Sequence, residues 1–342
     1  MLELAILSLD LDYMNGYKAL RESAAWIDLS ARGNICVNGD DRARLLHALT
    51  TNHIQQLTPG TGCYVFFLNA QGRVLADASI LCREDHLLLD TEPEIRERIY
   101  AHLDHYIIAD DVTLEDATAR TTTLAVEGPR SAEVLASIGA PVPEADYAFV
   151  PWGSRLVARL SSTGSPGFFV FAPVDEQPAL IAQLGIEQAD AEAARIVRIE
   201  HGKPRYGEDI TDRSLAQETN QNHALHFSKG CYLGQEIVER VRTRAQLHRG
   251  LIPLDIDGTM APAPGTKLTT QGNAAAEITS AAFSPALAKV VALAYVRTAL
   301  SGKSLRLEST HDNRKPRSSP GRCRSPFHQR SCAAPTIKGT DL

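Results

Sequence analysis

Apolar and polar positions alternate along this chain in two rhythms, one of strands and one of helices. NICVNG predicts a short strand ending in a turn. DRARLLHALTTN follows, with Asp40 placed to cap a helix whose Leu45, Leu46 and Leu49 share one face. CYVFFLNAQGRVLADASILC predicts a hairpin turning at 69–72. HLLLD is a further strand. PEIRERIYAHLDHYI is a helix with Pro93 in its first turn and Ile95, Ile99 and Leu103 at helical spacing. TTLAVEGPRSAEVLASIG predicts strand, turn and helix about Gly128-Pro129, and the Pro-rich stretch 139–147 a loop. SRLVARLS and GFFVFAP are strands, and QPALIAQLG is a helix.

The clearest helix follows. Asp190 is its N-cap, AEAARIVRIEH its body, Gly202 its stop, and Pro204 bars continuation. Ala193, Ile196, Val197 and Glu200 fall on one face of it, while Arg195 and Arg198 point the other way. A carboxylate on an apolar face is costly unless paired, which marks Glu200 as a candidate ligand-binding acid. The bland reading is a helix-end acid reaching solvent. After Gly250 the pattern becomes GLIPLDID, TKLTT, AEITSAAFS and KVVALAYV, short strands between Gly/Pro turns that predict a small all-β module.

The chain has 342 residues, 44% hydrophobic and 22% charged, which fits a globular protein of two or three domains. No apolar run is long enough to span a membrane. The opening MLELAILSLDLDY lacks a basic segment, so a cytoplasmic location is expected. Over 303–342 nine Lys/Arg stand against three Asp/Glu, leaving 26 basic against 38 acidic residues in the rest. The acidic body disfavours broad nucleic-acid binding. The basic stretch, rich in Arg, Ser and Pro, predicts a disordered tail. A nucleic-acid-binding arm and a shifted reading frame are the alternatives for it.

Six cysteines form no CxxC pair and no zinc-spaced cluster, so no resident metal is expected. There is no Walker loop, GxGxxG, HExxH or GxSxG. The most specific stretch is FSKGCYLGQE at 227–236, where Gly230 and Gly234 bracket Cys231 and Tyr232. An ammonium such as Lys229 near the thiol would favour the reactive thiolate, although a buried small hydrophobe in a Gly turn fits equally. The basic residues Arg240, Arg242, Arg244, His248 and Arg249 follow. They read either as a carboxylate or phosphate site or as a solvated helix face with Glu236 and Glu239 at pairing distance. Tyr64, Tyr206 and Tyr232 are candidates to stack on a flat ligand.

KGCYLGQE resembles the signature of the YgfZ family of folate-binding proteins, which includes factors for [4Fe–4S] cluster assembly and is related to the T-protein of the glycine cleavage system. GDDRARLLHALTTNHI, LNAQGRVLAD, AVEGPRSAEVL and RIEHGKPRYGEDI are similar to further family motifs, in order, over 17–297. The resemblance implies an α+β fold, with two α+β modules around a channel and a small C-terminal β-barrel. Its parts would be a folate-binding module at 14–120, a second module with the signature at 121–249, the barrel at 250–302 and the tail at 303–342, the modules of this family interleaving across such linear bounds.

It implies a tetrahydrofolate-binding accessory protein supporting iron–sulfur enzymes, including tRNA-modifying ones. Glu200 and Asp77 would hold the folate, with Lys229, Tyr232 and Arg249 as further cofactor contacts. Cys231 would be a reactive thiol, handling an iron–sulfur cluster only transiently, since a cluster needs about four ligands. Its partners would be iron–sulfur client enzymes or assembly proteins. Asp77 is also a candidate catalytic group. T-protein carries two consecutive acids where this chain has Ala76-Asp77, a departure that counts against the alternative of a folate-dependent aminomethyl or one-carbon transferase. Direct RNA binding is the third reading.

Overall fold

The computed structural model describes residues 15–244, 247–270 and 273–300, and the backbone of 305–306, 308–309 and 322–323. Its first stretch runs α1 (Tyr17–Glu22), β1 (Ala25–Asp28), β2 (Gly33–Asn38), α2 (Arg42–Leu49), β3 (Gly62–Leu68), β4 (Val74–Cys82), β5 (His86–Thr91), α3 (Arg96–Tyr106) and β6 (Thr113–Asp116). Five of these strands form an antiparallel sheet in the order β3-β4-β5-β2-β6. α2 begins at Arg42 rather than beside Asp40, and its N-cap, Asp41, makes no side-chain cap bond. Asp41 instead accepts from Arg44 and from the amide of Asp111. Pro93 lies in a single 3-10 turn that leads into α3.

The next stretch is β7 (Thr121–Glu127), α4 (Ser131–Ser137), β8 (Phe149–Trp152), β9 (Arg155–Ala158), β10 (Gly167–Pro173), α5 (Gln177–Leu184) and α6 (Ala191–Glu200). A second sheet has the order β1-β7-β10-β9-β8. β1 therefore leaves its sequence neighbours and pairs with β7, Trp26 opposite Val126. The reverse exchange follows α6. Tyr206, Ile210, Ala216, Ala224, Leu225 and Val238 fill the core against the first sheet, with Phe66, Phe67, Ile80 and Leu89. The linear division at 120/121 thus describes two interleaved modules, because apolar residues on each side of it complete the other's core. Asp190 caps α6 through the amide of Ala193 at 2.7 Å.

α7 (Gln235–Arg244) leads into β11 (Arg249–Ile256), β12 (Lys267–Thr270), β13 (Asn273–Ser284) and β14 (Lys289–Arg297). These form a third sheet, β11-β14-β13-β12, around Leu254, Ile278, Val290 and Ala292. β15 (Leu305–Arg306), β16 (Glu308–Ser309) and β17 (Arg322–Cys323) fall where a disordered tail was expected. β16 adds to the third sheet beside β12, and β15 pairs with β17. The rest of 303–342 lies outside the described residues. Among the described residues, no helix is long and apolar enough to cross a membrane.

Candidate functional site

A cavity of about 1010 Å³ opens where the first two sheets and α6 meet. β4 contributes Asp77 to its lining, and the C-terminal end of β5 contributes Asp90 and, just past the strand, Glu92. The turn after β1 contributes Arg32, the loop 159–167 crosses one wall, and the segment after α6 brings Lys203, Arg205 and Tyr206. Such a site draws on chain segments far apart in sequence.

Asp77 is the focal acid. Successive residues of a strand face opposite sides of its sheet. Ala76 is accordingly buried in the apolar core, opposite Phe67, while Asp77 lines the cavity. Tyr64 donates its hydroxyl hydrogen bond to Asp77 Oδ2. The other carboxyl oxygen has no hydrogen-bond partner among the described residues. Burial, reinforced by the charge of Glu92, pushes the Asp77 carboxyl up to about 6. Arg32 holds Asp90 through two bonds of 2.9 and 2.8 Å and also pairs with Glu92. Arg205 reaches Glu92 at 2.9 Å and Glu94 at 2.6 Å. Burial raises the Asp90 carboxyl, whereas the guanidinium groups hold Glu92 low against its own burial.

Flat rings line another side. His223 stacks on Tyr64 at 5.3 Å and faces Tyr147 at 6.3 Å, each pair 26° from parallel. All three border the cavity, as does Tyr206. Glu127, fully buried, accepts from Ser161 Oγ at 2.9 Å, from the amide and hydroxyl of Ser162 at 2.5 and 2.7 Å, and from the amide of Thr163 at 3.0 Å. This carboxylate pins the loop that forms the wall. Sequence reading had named Asp77, Tyr64 and Tyr206. It had not named Arg32, Asp90, Glu92, Tyr147, Lys203 or His223, which stand in loops or at strand ends where no periodicity marks them.

The other expected site residues lie elsewhere. Glu200 is not among the lining residues. It sits on the face of α6 shared with Ala193, Ile196 and Val197, and that face packs against α1 and β13. Its carboxylate accepts from Tyr17 and from Ser284, both at 2.5 Å, and pairs with Arg21. The face of α6 turned to the cavity carries Ala191, Ala194, Arg195 and Arg198. Lys229 does not free its ammonium for Cys231. The group is buried over the Tyr232 ring at 4.6 Å and donates to the carbonyl oxygens of His47 and, at 2.5 Å, Thr50 at the C-terminal end of α2. Burial pushes that ammonium down to about 7.

Cys231 is exposed. Arg249 is held by Glu218 at 3.2 and 3.1 Å and lies over Tyr295 at 4.5 Å. Arg240 pairs with Glu236 and Arg242 with Glu239, as a solvated helix face would. The side chain of Arg244 is outside the described residues. No group of three or more His, Cys, Asp or Glu among the described residues could hold a metal ion.

Comparison with known proteins matches the GCVT N-terminal domain to residues 13–229 and the glycine cleavage T-protein C-terminal barrel domain to 249–319. An aminomethyltransferase of Rubrobacter xylanophilus is 28% identical over 290 residues, covering 82% of this chain and 78% of that one. An aminomethyltransferase of Thermus thermophilus is 29% identical over 295 residues, 83% of this chain and 82% of its own. The crystal structure of glycine cleavage system aminomethyltransferase T from Bartonella henselae superposes with a TM-score of 0.81 at 21% identity, covering 90% of this chain and 86% of its own, and so shares the fold. The expected arrangement of α+β modules with a C-terminal barrel is thereby shown, and the chain belongs to the GCVT N-terminal domain family.

Proposed function

We propose that this chain is a folate-dependent one-carbon transferase whose reaction takes place in the cavity at Asp77. The observation that carries this reading is the facing of β4. The missing acid of the Ala76-Asp77 pair would have pointed into the apolar core, and the acid that faces the cavity is retained. The departure from a double acid therefore does not weigh against transfer chemistry, and relatives named aminomethyltransferases support it.

The residues fit a reduced folate. The pterin ring is flat, and a reduced folate carries N–H groups at N5 and N10, the nitrogens that take the one-carbon unit. Asp77 offers an unpartnered oxygen to them, and Tyr64, Tyr147 and His223 offer parallel faces. The folate, when bound, supplies the nitrogens that carry the one-carbon unit. Tyr64 fixes the orientation of the Asp77 carboxyl. Burial, helped by the charges of Glu92 and Asp90 that Arg32 holds in place, keeps the carboxyl titrating at about 6, where Asp77 Oδ1 can hold or release a proton. Calorimetry with tetrahydrofolate tests binding. A single-turnover assay for methylene-tetrahydrofolate and ammonia formed from tetrahydrofolate and an aminomethyl donor tests transfer. Wild type should bind and transfer, and Asp77→Asn should lower transfer by about 100-fold or more. Wild type that binds no tetrahydrofolate would sink the reading.

A second reading has its own observation. Cys231 is exposed on a loop outside the cavity lining, where a partner protein could reach it. In that reading the chain, like the YgfZ proteins its signature resembles, serves iron–sulfur client enzymes. Cys231→Ser would then abolish that support in cells while leaving tetrahydrofolate binding intact.

A further inference from the structure

Among the described residues six Lys and Arg side chains line the cavity, and five of them are neutralised by the protein itself. Arg32 pairs with Asp90 and Glu92, Arg159 with Asp146, Arg195 with Glu208, Arg198 with Glu208 and Asp209, and Arg205 with Glu92 and Glu94. The sixth, Lys203, is half-buried, and its ammonium has no hydrogen-bond or ion-pair partner among the described residues. Its backbone is fixed, since its amide donates to Arg198 O at 3.0 Å and its carbonyl accepts from Arg198 at 2.7 Å. Its Cβ packs beside Gly164 of the pinned loop.

The carboxylates whose charge reaches Lys203 are engaged elsewhere. Glu127 is held by the 161–163 hydroxyls and amides, Glu92 by Arg32 and Arg205, and Asp77 by Tyr64. A half-buried ammonium that lines a cavity without a protein partner is free to take an incoming anion.

We propose that Lys203 anchors a carboxylate subsite within the cavity and that the second substrate is a small molecule bearing a carboxylate. The inference rests on the transferase reading and deepens it. Lys203, Asp77 and His223 line the same cavity, so an anion bound to Lys203 would share that cavity with a folate held at Asp77. A glutamyl tail reaching out of the cavity would meet its cation away from Asp77. The charge is compact, with three rotatable donors, which suits a small carboxylate.

The test uses the full chain as wild type, Lys203→Met and Lys203→Arg. Each is titrated with acetate, with acetamide as the uncharged control, and with tetrahydrofolate and the tail-less 6-methyltetrahydropterin, and followed by NMR. Wild type should bind acetate saturably and acetamide not at all. Lys203→Met should weaken acetate about tenfold or more, and Lys203→Arg should stay within about threefold. The affinity for 6-methyltetrahydropterin should not move.

Acetate binding that is absent from wild type, or unchanged in Lys203→Met, overturns the subsite. Tetrahydrofolate weakened in Lys203→Met with acetate unchanged assigns the ammonium to the folate tail and also overturns it. If wild type binds neither pterin, the transferase reading fails while the acetate arm still decides Lys203. Lys203→Gln replaces Lys203→Met if the latter does not fold.

Discussion

Asp77 and Glu200 are both buried acids, and the fold treats them in opposite ways. Glu200 receives two hydroxyls and a guanidinium, whereas Asp77 receives one hydroxyl and a cavity. Their substitutions should diverge accordingly. Asp77 titrates near 6 in the folded chain and, at its ordinary value, near 4 when unfolded. Its folded-state proton is therefore held more tightly. Below about pH 4 the group costs nothing, between about 4 and 6 it lowers stability as pH rises, and above that the loss of about 2–3 kcal/mol is constant.

Asp77→Asn should remove this slope and leave the protein about 1–3 kcal/mol more stable at pH 7.5, while transfer is lost. Thermal melts of both proteins across pH 4–8 read it directly, and a variant that melts lower than wild type at pH 7.5 would contradict it. Glu200→Gln should instead cost about 1–3 kcal/mol, because Arg21 loses its counter-charge, and should leave tetrahydropterin affinity within about twofold. Helical periodicity had grouped Glu200 correctly with Ala193, Ile196 and Val197. It could not say which side of α6 the cavity would occupy, since that depends on what packs against each face.

Among the elements, the signature loop owes its specificity to packing. Gly234 has a φ of +84°, and a Cβ there would lie 2.6 Å from the carbonyl oxygen of Asn69 and 2.9 Å from Leu68 Cβ. Across the same contact, a Cβ on Gly72 would lie 2.8 Å from Ile237 Cβ. The start of α7 is thus seated on the turn of the β3–β4 hairpin, the strand pair that presents Asp77. Gly234→Ala should cost about 2–4 kcal/mol, through backbone strain and a clash with backbone that cannot yield. Urea denaturation would show it as a lower midpoint, and an unchanged midpoint would mean the contact is slack.

Lys229 closes the same junction by binding the last carbonyls of α2, where a cation is favoured. The hairpin and its turn residues were legible because alternation and the Asn-Ala-Gln-Gly turn are local signals. The partner of Gly234 was not, since 68–72 and 234 are joined only by the tertiary fold.

Across the whole molecule, the cavity exists because two sheets exchange segments. β1 crosses to the second sheet, residues 203–244 cross back to the first, and the turn after β1 carries Arg32 into the joint. Strand and helix patterns made the elements and the C-terminal all-β module readable in order, while the division into two α+β modules came from the family resemblance. They held no record of this exchange, because apolar residues that complete a neighbour's core look like those that complete their own.

The exchange makes Arg32 a structural hinge-pin as well as part of the site. Its side chain is 14% exposed and neutralises Asp90, 1% exposed, and Glu92, 17% exposed. Arg32→Met would leave two carboxylates at the joint, with Arg205 able to answer only Glu92. Removing one member of a buried ion group costs about 3–5 kcal/mol, and the uncompensated charge of Asp90 would push Asp77 further upward, since Asp90 already acts on it in that sense. The variant should therefore unfold at lower urea and shift the acid limb of the transfer reaction to higher pH. Arg32→Met/Asp90→Asn, which removes both charges, should recover much of the stability and bring the pH profile back toward that of wild type. If the double variant recovers neither, Arg32 acts through packing on Phe169, 5.8 Å from its guanidinium, rather than through charge.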